Sequence, residues 1–428
     1  MREMKDSGVE WIGEIPKDWD IVPTKRFFRN IKRVVGSDAD NYERLALTMN
    51  GVIKRSKEDS EGLQPEKFEG YQILRKNELV FKLIDLENVR TSRVGLSSYT
   101  GLVSPAYIVL TNESEDNRFY YYWFMFLYYN EVFNHLGGDG VRSALNAKDL
   151  SVIPIVAIPI YTQNCIANYL DKKCTKIDII IAKQQKIIGK LKAYKQSVIT
   201  ETVIKGLNPD VEMNDSGIEF IGKIPSHWKI IRLKFLLTYL IDCPHETPKY
   251  DADGKYLVIR TADQDLAILR KDEDMFRLSE NEYQNRIRRM SLDKDDIVYG
   301  REGGRWGLAC LVPESNRYCL GQRMLQFRCD RELFNPQFAV YALSSSTVYL
   351  QGSFDTMGSA SPHVNISTVQ NYAIVIPPIQ EQEYIAKELQ KKCKNIDFEI
   401  KRRQRFIDKI TEYKKSLIYE VVTGKRSV

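Results

Sequence analysis

A glycine-rich segment with two arginines and a tryptophan is the part of this chain best suited to binding a ligand. Residues 300–307 read Gly-Arg-Glu-Gly-Gly-Arg-Trp-Gly, which places Arg301, Arg305 and Trp306 among glycines. Main-chain amides freed of side chains contact phosphates, and arginine binds phosphate oxygens or the edge of guanine. The segment therefore predicts contact with nucleic acid. A hairpin turn with solvated arginines is the alternative interpretation.

Further polar side chains on predicted loops carry groups that hydrogen bond to DNA. Arginine, asparagine, glutamine and histidine read base edges, although each is also a common loop residue. The candidates in the first half of the chain are Lys82, Arg90, Ser92, Arg93, Tyr107, Arg142 and Asn146. The candidates in the second half, besides the glycine-rich segment, are His245, Arg260, Gln322, Arg323, His363 and Asn365.

Motifs of DNA-processing enzymes are absent from the sequence. No segment reads G-x-x-x-x-G-K-[ST], the phosphate-binding loop of ATPases. Residues 335–338 approach the N-P-P-[FY] motif of adenine methyltransferases but lack its second proline, and a capped helix start explains them better. Cys243 and His245 stand close together, but a chain with 4 histidines offers no four-ligand zinc spacing. We predict no catalytic residues and no metal site.

The chain also repeats itself. Residues 5–19 read KDSGVEWIGEIPKDW and residues 214–228 read NDSGIEFIGKIPSHW, with nine of the fifteen positions identical. A second match, at an offset of 219, runs from residues 159–201 to residues 378–420, and Asn146 and Asn365 are separated by the same offset. The stretches between the matches differ. A duplicated frame with two different inserts predicts two related sites that read different things.

Composition sets broad limits on the class of protein. The 428 residues are 43% hydrophobic and 28% charged, with a net charge of +6, which is ordinary for a soluble protein and permits an acidic partner. We see no signal peptide and no apolar run near the ~20 residues of a membrane span. The 7 scattered cysteines predict reduced thiols in the cytoplasm, with Cys174 and Cys393 packed in the core.

Both copies of the second repeat predict a long helix with a seven-residue apolar period. Prolines at 159 and 378 mark where the helices begin, and Gly206 and Gly424 where they end. The seam positions are Leu170, Ile177, Gln184, Leu191 and Val198 in the first helix and Leu389, Ile396, Arg403, Ile410 and Leu417 in the second. We assign the intervening positions to Ile180, Ile187 and Tyr194, and to Glu399, Phe406 and Tyr413.

The length of each predicted helix indicates what covers its apolar seam. A helix of ~40 residues is about 60 Å long, too long for one small domain to cover, so the twin helix is the natural partner in an antiparallel pair. Gln184 and Arg403 fall at equivalent positions. They form a register-fixing polar layer, or they are tolerated at a partly open seam.

The inserts predict mixed α/β domains. The strands expected there are 79–83, 106–110, 256–260, 296–299, 308–312 and 324–328. Each insert also predicts one helix, at residues 119–136 and 337–351.

In combination these features resemble the specificity subunit of a type I restriction–modification system. The resemblance is carried by D-S-G-[VI]-E-[WF]-I-G-x-I-P-x-x-W at both half starts and by the helix entries I-P-I-Y-T-Q and I-P-P-I-Q-E-Q. The insert segments L-V-S-P-A-Y, G-Q-R-M and D-C-P-H-E-T-P add to it. It covers nearly the whole chain.

The resemblance implies an α/β (α+β) fold in which two target recognition domains each read one half of a split, asymmetric double-stranded DNA site. Two long helices would form an antiparallel coiled-coil spacer and bind two methyltransferase subunits, with restriction subunits as further partners and no membrane. We place the segments at residues 1–157, 158–213, 214–376 and 377–428, the first and third holding the recognition domains. S-adenosylmethionine, ATP and magnesium are expected on partner subunits and none in this chain. The alternatives are a self-contained DNA-modifying enzyme and a coiled-coil scaffold without a DNA role.

Overall fold

The computed structural model describes residues 3–49, 51–59, 67–84, 86, 93–136, 144–356 and 362–428. The chain divides into two compact units. The first unit combines Met1–Gln185 with Gln404–Val428, and the second is Lys186–Arg403. None of the helices in the described ranges is long and apolar enough to cross a membrane. Arg90, Ser92 and Arg142, which we predicted to bind DNA, lie outside the described residues.

Short strands dominate the first half of the chain. They are β1 (Met4–Asp6), β2 (Glu14–Pro16), β3 (Asp20–Pro23), β4 (Arg29–Asn30), β5 (Arg44–Thr48), β6 (Gly51–Arg55), β7 (Gln72–Leu74), β8 (Leu79–Phe81), β9 (Val94–Leu96), β10 (Gly101–Val103), β11 (Ile108–Thr111) and β12 (Pro154–Ala157). The helices are α1 (Asn117–Tyr129), α2 (Val132–Leu136), α3 (Ala147–Val152) and α4 (Ile160–Lys205). Short 3-10 helices cover Thr24–Arg26 and Gly36–Asn41.

The second half follows a similar order. Its strands are β13 (Met213–Asp215), β14 (Lys223–Pro225), β15 (Lys229–Arg232), β16 (Leu237–Asp242), β17 (Tyr256–Ile259), β18 (Gln264–Asp265), β19 (Ile268–Leu269), β20 (Arg277–Leu278), β21 (Ile297–Gly300), β22 (Ala309–Leu311), β23 (Tyr318–Leu320), β24 (Met324–Cys329) and β25 (Ala373–Ile376). The helices are α5 (Glu280–Arg286), α6 (Pro336–Leu343), α7 (Ser346–Thr356), α8 (Ile366–Gln370) and α9 (Ile379–Val422), and 3-10 helices cover Leu233–Phe235, Thr261–Asp263 and Asp272–Asp274.

The two inserts share one sheet topology. The antiparallel sheet β4-β11-β8-β9 of the first unit recurs as β16-β24-β21-β22 in the second. The parallel pair β5–β10 recurs as β17–β23, each inside a separate sheet, β6-β5-β10-β7 or β20-β17-β23. The repeated fifteen-residue segments form the same hairpin, β1–β2 and β13–β14. Duplication therefore extends into inserts whose sequences differ.

Apolar side chains explain where the elements lie. The strands β8 and β21 are buried along their whole length, and α1 places Phe119, Trp123 and Phe124 in the core of the first unit. Asn335 caps α6 by accepting a hydrogen bond from the amide of Phe338, and Pro336 occupies its first turn, as the helix-start interpretation predicts.

The predicted strands agree with the structure within two residues, but both predicted insert helices are wrong in one respect. Each is broken into two, α1–α2 and α6–α7. Glu131 adopts a positive φ of 56°, which a continuing helix does not allow. The hydroxyl of Ser345 donates to the carbonyl of Ala342 at 2.7 Å, a local alternative to helical bonding.

The two long helices α4 and α9 confirm the predicted ends. Gly206 and Gly424 follow them with positive φ values of 77° and 73°, the conformation that glycine adopts after a helix. A Cβ atom on Gly206 would lie 3.1 Å from the ring of Trp228, and one on Gly424 would lie 2.5 Å from Pro16. Each helix end is therefore packed against a copy of the repeated segment.

Burial along α4 and α9 agrees with one set of seam positions and corrects the other. Leu170, Ile177, Leu389, Ile396 and Leu417 are buried, and Gln184, Leu191, Val198, Arg403 and Ile410 are half-buried. Of the predicted intervening positions, Ile187 and Glu399 are half-buried, whereas Ile180, Tyr194, Phe406 and Tyr413 are exposed. Next to Tyr194 and Phe406, the buried residues are Lys195 and Ile407. Residues three and four apart share one helix face, and the partner decides which of them turns inward.

Each unit joins a piece of α4 to a piece of α9. In the first unit Lys414 Nζ lies 2.7 Å from Asp178 Oδ1, and in the second Lys195 Nζ lies 2.9 Å from Asp397 Oδ2.

All seven cysteines are free, and Cys174 and Cys393 are buried in the core, as predicted.

Candidate nucleic-acid interface

Four segments of the second unit meet at one edge of the sheet β16-β24-β21-β22. They are the loop after Asp242 at the end of β16, the glycine-rich segment after β21, the turn at Gly321–Arg323 and the residues before α8. The amide of Arg301 donates to the carbonyl of Arg323 at 3.1 Å, and a lone β-bridge pairs Glu302 with His363. Antiparallel pairing of β24 with β16 and β21 brings these loops together.

Arg301 lies inside this cluster, where its side chain is nearly fully buried. Its residue exposure is 3%. The guanidinium lies 3.4 Å from Asp242 Oδ1 and 3.2 Å from Glu302 Oε1, and it hydrogen bonds to His363 Nε2 at 3.0 Å. We predicted that Arg301 itself touches DNA. Its burial among these partners corrects that assignment, because the guanidinium orients its neighbours instead.

Two histidines lie on the exposed side of the cluster, as DNA contact would require. His245 Nε2 lies 2.9 Å from Asp242 Oδ2, and His363 Nδ1 lies 3.1 Å from Glu302 Oε1. A carboxylate therefore fixes each imidazole ring, and each carboxylate also contacts Arg301. Sequence analysis overlooked Asp242 and Glu302. The sequence offered one signal for them, because both are close to predicted contact residues. Glu302 follows Arg301, and Asp242 lies three residues before His245.

The loop that carries His245 is held by side chains bonded to its main chain. Gln322 Nε2 donates to the carbonyl of His245 at 3.0 Å. Arg286 Nη1 donates to the carbonyl of Glu246 at 2.8 Å, and Arg289 Nη1 donates to the carbonyl of Asp242 at 2.9 Å. Arg286 is buried and Arg289 is exposed, so the first supports the loop while the second adds positive charge to its surface. Neither arginine was among the predicted residues.

Two predicted arginines lie exposed beside the cluster, whereas the predicted tryptophan does not. Arg305 donates to the carbonyl of Gln264 at 2.6 Å, and Arg323 Nε lies 3.9 Å from Glu302 Oε2. Trp306 is buried and stacks on Tyr349 with ring centroids 4.2 Å apart. The prediction of a DNA contact for Trp306 is corrected to a packing role, because the indole lies against the second unit's core.

Arg260 and Asn365 occupy local structural roles. The guanidinium of Arg260 bonds to both oxygens of Asp263 at 2.8 Å, and this bonding raises the pKa of Arg260. Asn365 is exposed at the start of α8, where its main-chain amide donates to Asp355 Oδ2 at 3.1 Å. Burial raises the pKa of the Cys243 thiol next to the cluster. This favours the protonated thiol there.

In the first unit the predicted residues are more dispersed. Lys82 follows β8 and donates its amide to the carbonyl of Arg93 at 2.9 Å. Arg93 is 2% exposed, and its guanidinium donates to Asn134 Oδ1 at 2.7 Å. The prediction of a direct DNA contact for Arg93 is corrected on the same ground as that for Arg301.

Tyr107 and Asn146 complete the first unit's candidates. Burial raises the pKa of Tyr107, and its carbonyl accepts a hydrogen bond from Gln72 at 2.6 Å. Asn146 is exposed and caps α3 by accepting from the amides of Lys148 and Asp149 at 2.8 and 3.1 Å. Over the described residues of both units, no three His, Cys, Asp or Glu side chains are grouped to hold a metal ion.

Known proteins similar to the chain are specificity proteins of type I restriction–modification systems. Residues 225–406 match the family of the type I restriction modification DNA specificity domain. In Methanocaldococcus jannaschii, the putative type I restriction enzyme MjaX specificity subunit is 22% identical over 439 residues, covering 97% of this chain and 95% of its own length. The type I restriction enzyme MjaVIII specificity subunit of that organism is 22% identical over 434 residues, covering 96% and 93%.

A solved structure shares the fold. It comes from work on complex assembly and conformational transition of the type I R-M system, and it matches with a TM-score of 0.64 at 12% identity. The match covers 95% of this chain and 98% of the other. The mixed α/β architecture with two inserts is therefore shared with that protein.

Proposed function

The chain belongs to the specificity subunits of type I restriction–modification systems, and we propose that it reads a split, asymmetric double-stranded DNA site with two target recognition domains. One observation carries this proposal. The sheet β4-β11-β8-β9 recurs as β16-β24-β21-β22, yet the loops at the equivalent edges hold different residues. Two copies of one frame with different loops suit two different half-sites.

The helices α4 and α9 serve in this proposal as an antiparallel coiled-coil spacer between the recognition domains. The crossed ion pairs support it, since Lys195 meets Asp397 while Lys414 meets Asp178. Lys195 and Lys414 stand at equivalent repeat positions, as do Asp178 and Asp397. Asp178, the earlier residue of α4, pairs with Lys414, the later residue of α9, and the later residue Lys195 pairs with the earlier Asp397. Helices paired in this order run antiparallel.

The same helices are the proposed docking surface for two methyltransferase subunits. Large apolar side chains lie exposed at equivalent positions of the two helices, namely Ile179 with Phe398 and Tyr194 with Tyr413. Exposed apolar side chains at matched positions suit two copies of one partner. Methyl transfer and cleavage then belong to partner subunits, which would carry S-adenosylmethionine, ATP and magnesium, and this chain is non-catalytic.

An exchange of inserts tests the proposal. Residues 229–376 are replaced by the corresponding insert of a relative, and the full chain is co-expressed with its methyltransferase subunits. Mapping of methylated adenines should show one half of the recognised site changed and the other half kept. A reciprocal exchange of residues 20–157 is the matched control and should change the opposite half. A change in both halves from one exchange contradicts modular recognition.

A further inference from the structure

The carboxylate of Glu302 contacts a buried arginine and a histidine, an arrangement that DNA recognition in general does not require. Building on the proposed function, we infer that Glu302 is a specificity-determining residue of the second recognition domain. Its carboxylate accepts a hydrogen bond from the exocyclic amino group of a base in the second half-site. The partner is the N4 amino group of cytosine or the N6 amino group of adenine, which share this chemistry in the major groove.

The carboxylate of Glu302 is oriented from one side. Its Oε1 atom lies 3.2 Å from Arg301 Nη2 and 3.1 Å from His363 Nδ1. Its Oε2 atom lies 3.9 Å from Arg323 Nε, beyond hydrogen-bonding distance. The side chain keeps 19% of its surface exposed. One oxygen is thus engaged within the protein, and the other is positioned to accept a bond from outside.

The frame itself requires no acidic residue at this position. In the first unit, a lone β-bridge pairs Ile84 with Ala144, as Glu302 pairs with His363 in the second. The carbonyl just before each bridge accepts from the opposite strand in the same way, Leu83 from Leu145 at 2.9 Å and Arg301 from Val364 at 3.0 Å. The first unit therefore holds Leu83, Ile84 and Ala144 where the second unit holds Arg301, Glu302 and His363.

This comparison indicates that the charged trio serves recognition. A buried group of ion-paired residues that is replaced as a whole by apolar residues often loses no stability, and the first copy of the frame has apolar residues at all three positions. Ile84 is 39% exposed at the position of Glu302, so both copies present a side chain there. The first presents an apolar one and the second a hydrogen-bond acceptor.

Charge explains why the acceptor gives selectivity. The exposed cations Arg289, Arg305 and Arg323 lie on the surrounding loops and suit the phosphate backbone. A carboxylate among them opposes phosphates, so it favours binding where it meets a donor on a base. Bases that present acceptors in the same place, such as guanine with O6 and N7, are repelled.

The test uses the full chain assembled with its methyltransferase subunits and a DNA library randomised across the second half-site. Glu302→Ile installs the residue of the first copy and removes the acceptor, which a glutamine would keep. We expect preference at one position of that half-site to fall by about 10-fold or more, with the first half-site unchanged. Arg301→Leu should relax the same position, because it removes the group that orients Glu302, and should lower the melting temperature, because Asp242 and Glu302 lose their counter-charge. Glu314→Gln removes another exposed carboxylate paired with an arginine, at 3.0 Å from Arg317, and should change nothing.

The outcomes separate this inference from the function on which it rests. If the base preference lost in the variant is for cytosine, the partner of Glu302 is the N4 amino group. If the lost preference is for adenine, the partner is the N6 amino group. If Glu302→Ile strengthens binding to all sequences alike, the carboxylate faces phosphates and the inference is wrong. It is equally wrong if every base preference is kept. A wild-type complex that methylates no two-part site would instead contradict the proposed function, whatever the variants do.

Discussion

Lys195 Nζ lies 2.9 Å from Asp397 Oδ2 and ties α4 to α9 within the second unit. The lysine side chain is 6% exposed, and it also donates to the carbonyl of Leu266 at 3.3 Å. The equivalent pair in the first unit, Lys414 with Asp178, is more open, since the aspartate side chain is 56% exposed. The same contact thus occurs twice in different surroundings, and the two copies should differ in strength.

Removal of one partner from each pair tests this difference. Asp397→Asn leaves the buried Lys195 ammonium without its counter-charge and should lower the free energy of unfolding by about 3 kcal/mol. Asp178→Asn should lower it by about 0–1 kcal/mol, because water screens the exposed carboxylate. Urea unfolding followed by circular dichroism measures both. Equal losses would contradict the assignment of burial as the cause.

The docking surface is tested by placing charge on each helix in turn. Tyr194→Asp and Tyr413→Asp should each weaken capture of one methyltransferase subunit, because an apolar contact then buries an unpaired carboxylate. Native mass spectrometry of the co-expressed complex should show one methyltransferase copy instead of two. Phe235→Asp changes an exposed aromatic that belongs to neither helix and is the control. Two copies retained in both tyrosine variants would reject this surface.

The exposed arginines of the cluster should act on DNA through phosphates. Arg305→Ala and Arg323→Ala should each weaken binding of every sequence alike and reduce the slope of log affinity against log salt by about 0.9. Titration of the assembled complex with duplex DNA at several salt concentrations measures the slope. Arg331→Ala, in an exposed ion pair with Asp295 at 3.2 Å, is the control. An unchanged slope in both variants would show that neither arginine contacts a phosphate.

Thiol reactivity reports the burial of the core. Burial raises the pKa of Cys174 to about 11 and those of Cys310, Cys319 and Cys329 to about 12. At pH 8 a disulfide reagent should therefore react rapidly with the half-exposed Cys165 alone, and with all seven thiols in denaturant. Because these thiols are neutral in the folded chain, the stability they contribute is present below pH 9 and is lost as pH rises toward 12. Rapid reaction of several thiols in the native protein would contradict this burial.

The long helices were predictable because their signals are local. Proline marks each start, glycine marks each end, and the apolar period covers many turns. The inward-facing intermediate positions were not predictable, since Ile180 and Ile181 both lie near the seam and the partner helix decides between them. The breaks at Glu131 and Ser345 depend on a single residue conformation each, and no periodicity records that.

The candidate site was predictable by residue type but not by role. The glycine-rich segment and both histidines fall in one cluster, as loop chemistry suggests. Burial separates Arg301 from Arg305, and burial of a loop residue follows from how four distant segments meet. Glu302 was not among the predicted contacts, because its pairing with Arg301 and His363 depends on tertiary structure.

The division into units has a consequence for synthesis of the chain. The second unit is continuous, whereas the first needs residues 404–428, of which Leu417, Ile418, Val421 and Val422 are buried in the same core as Trp19. At roughly 5–20 residues per second, Gln404 leaves the ribosome's active site about 10 to 45 s after Gln185. Residues 1–185 are therefore made before the second unit but completed after it, and their core around Trp19 must wait, partly uncovered, until residues 404–428 are made.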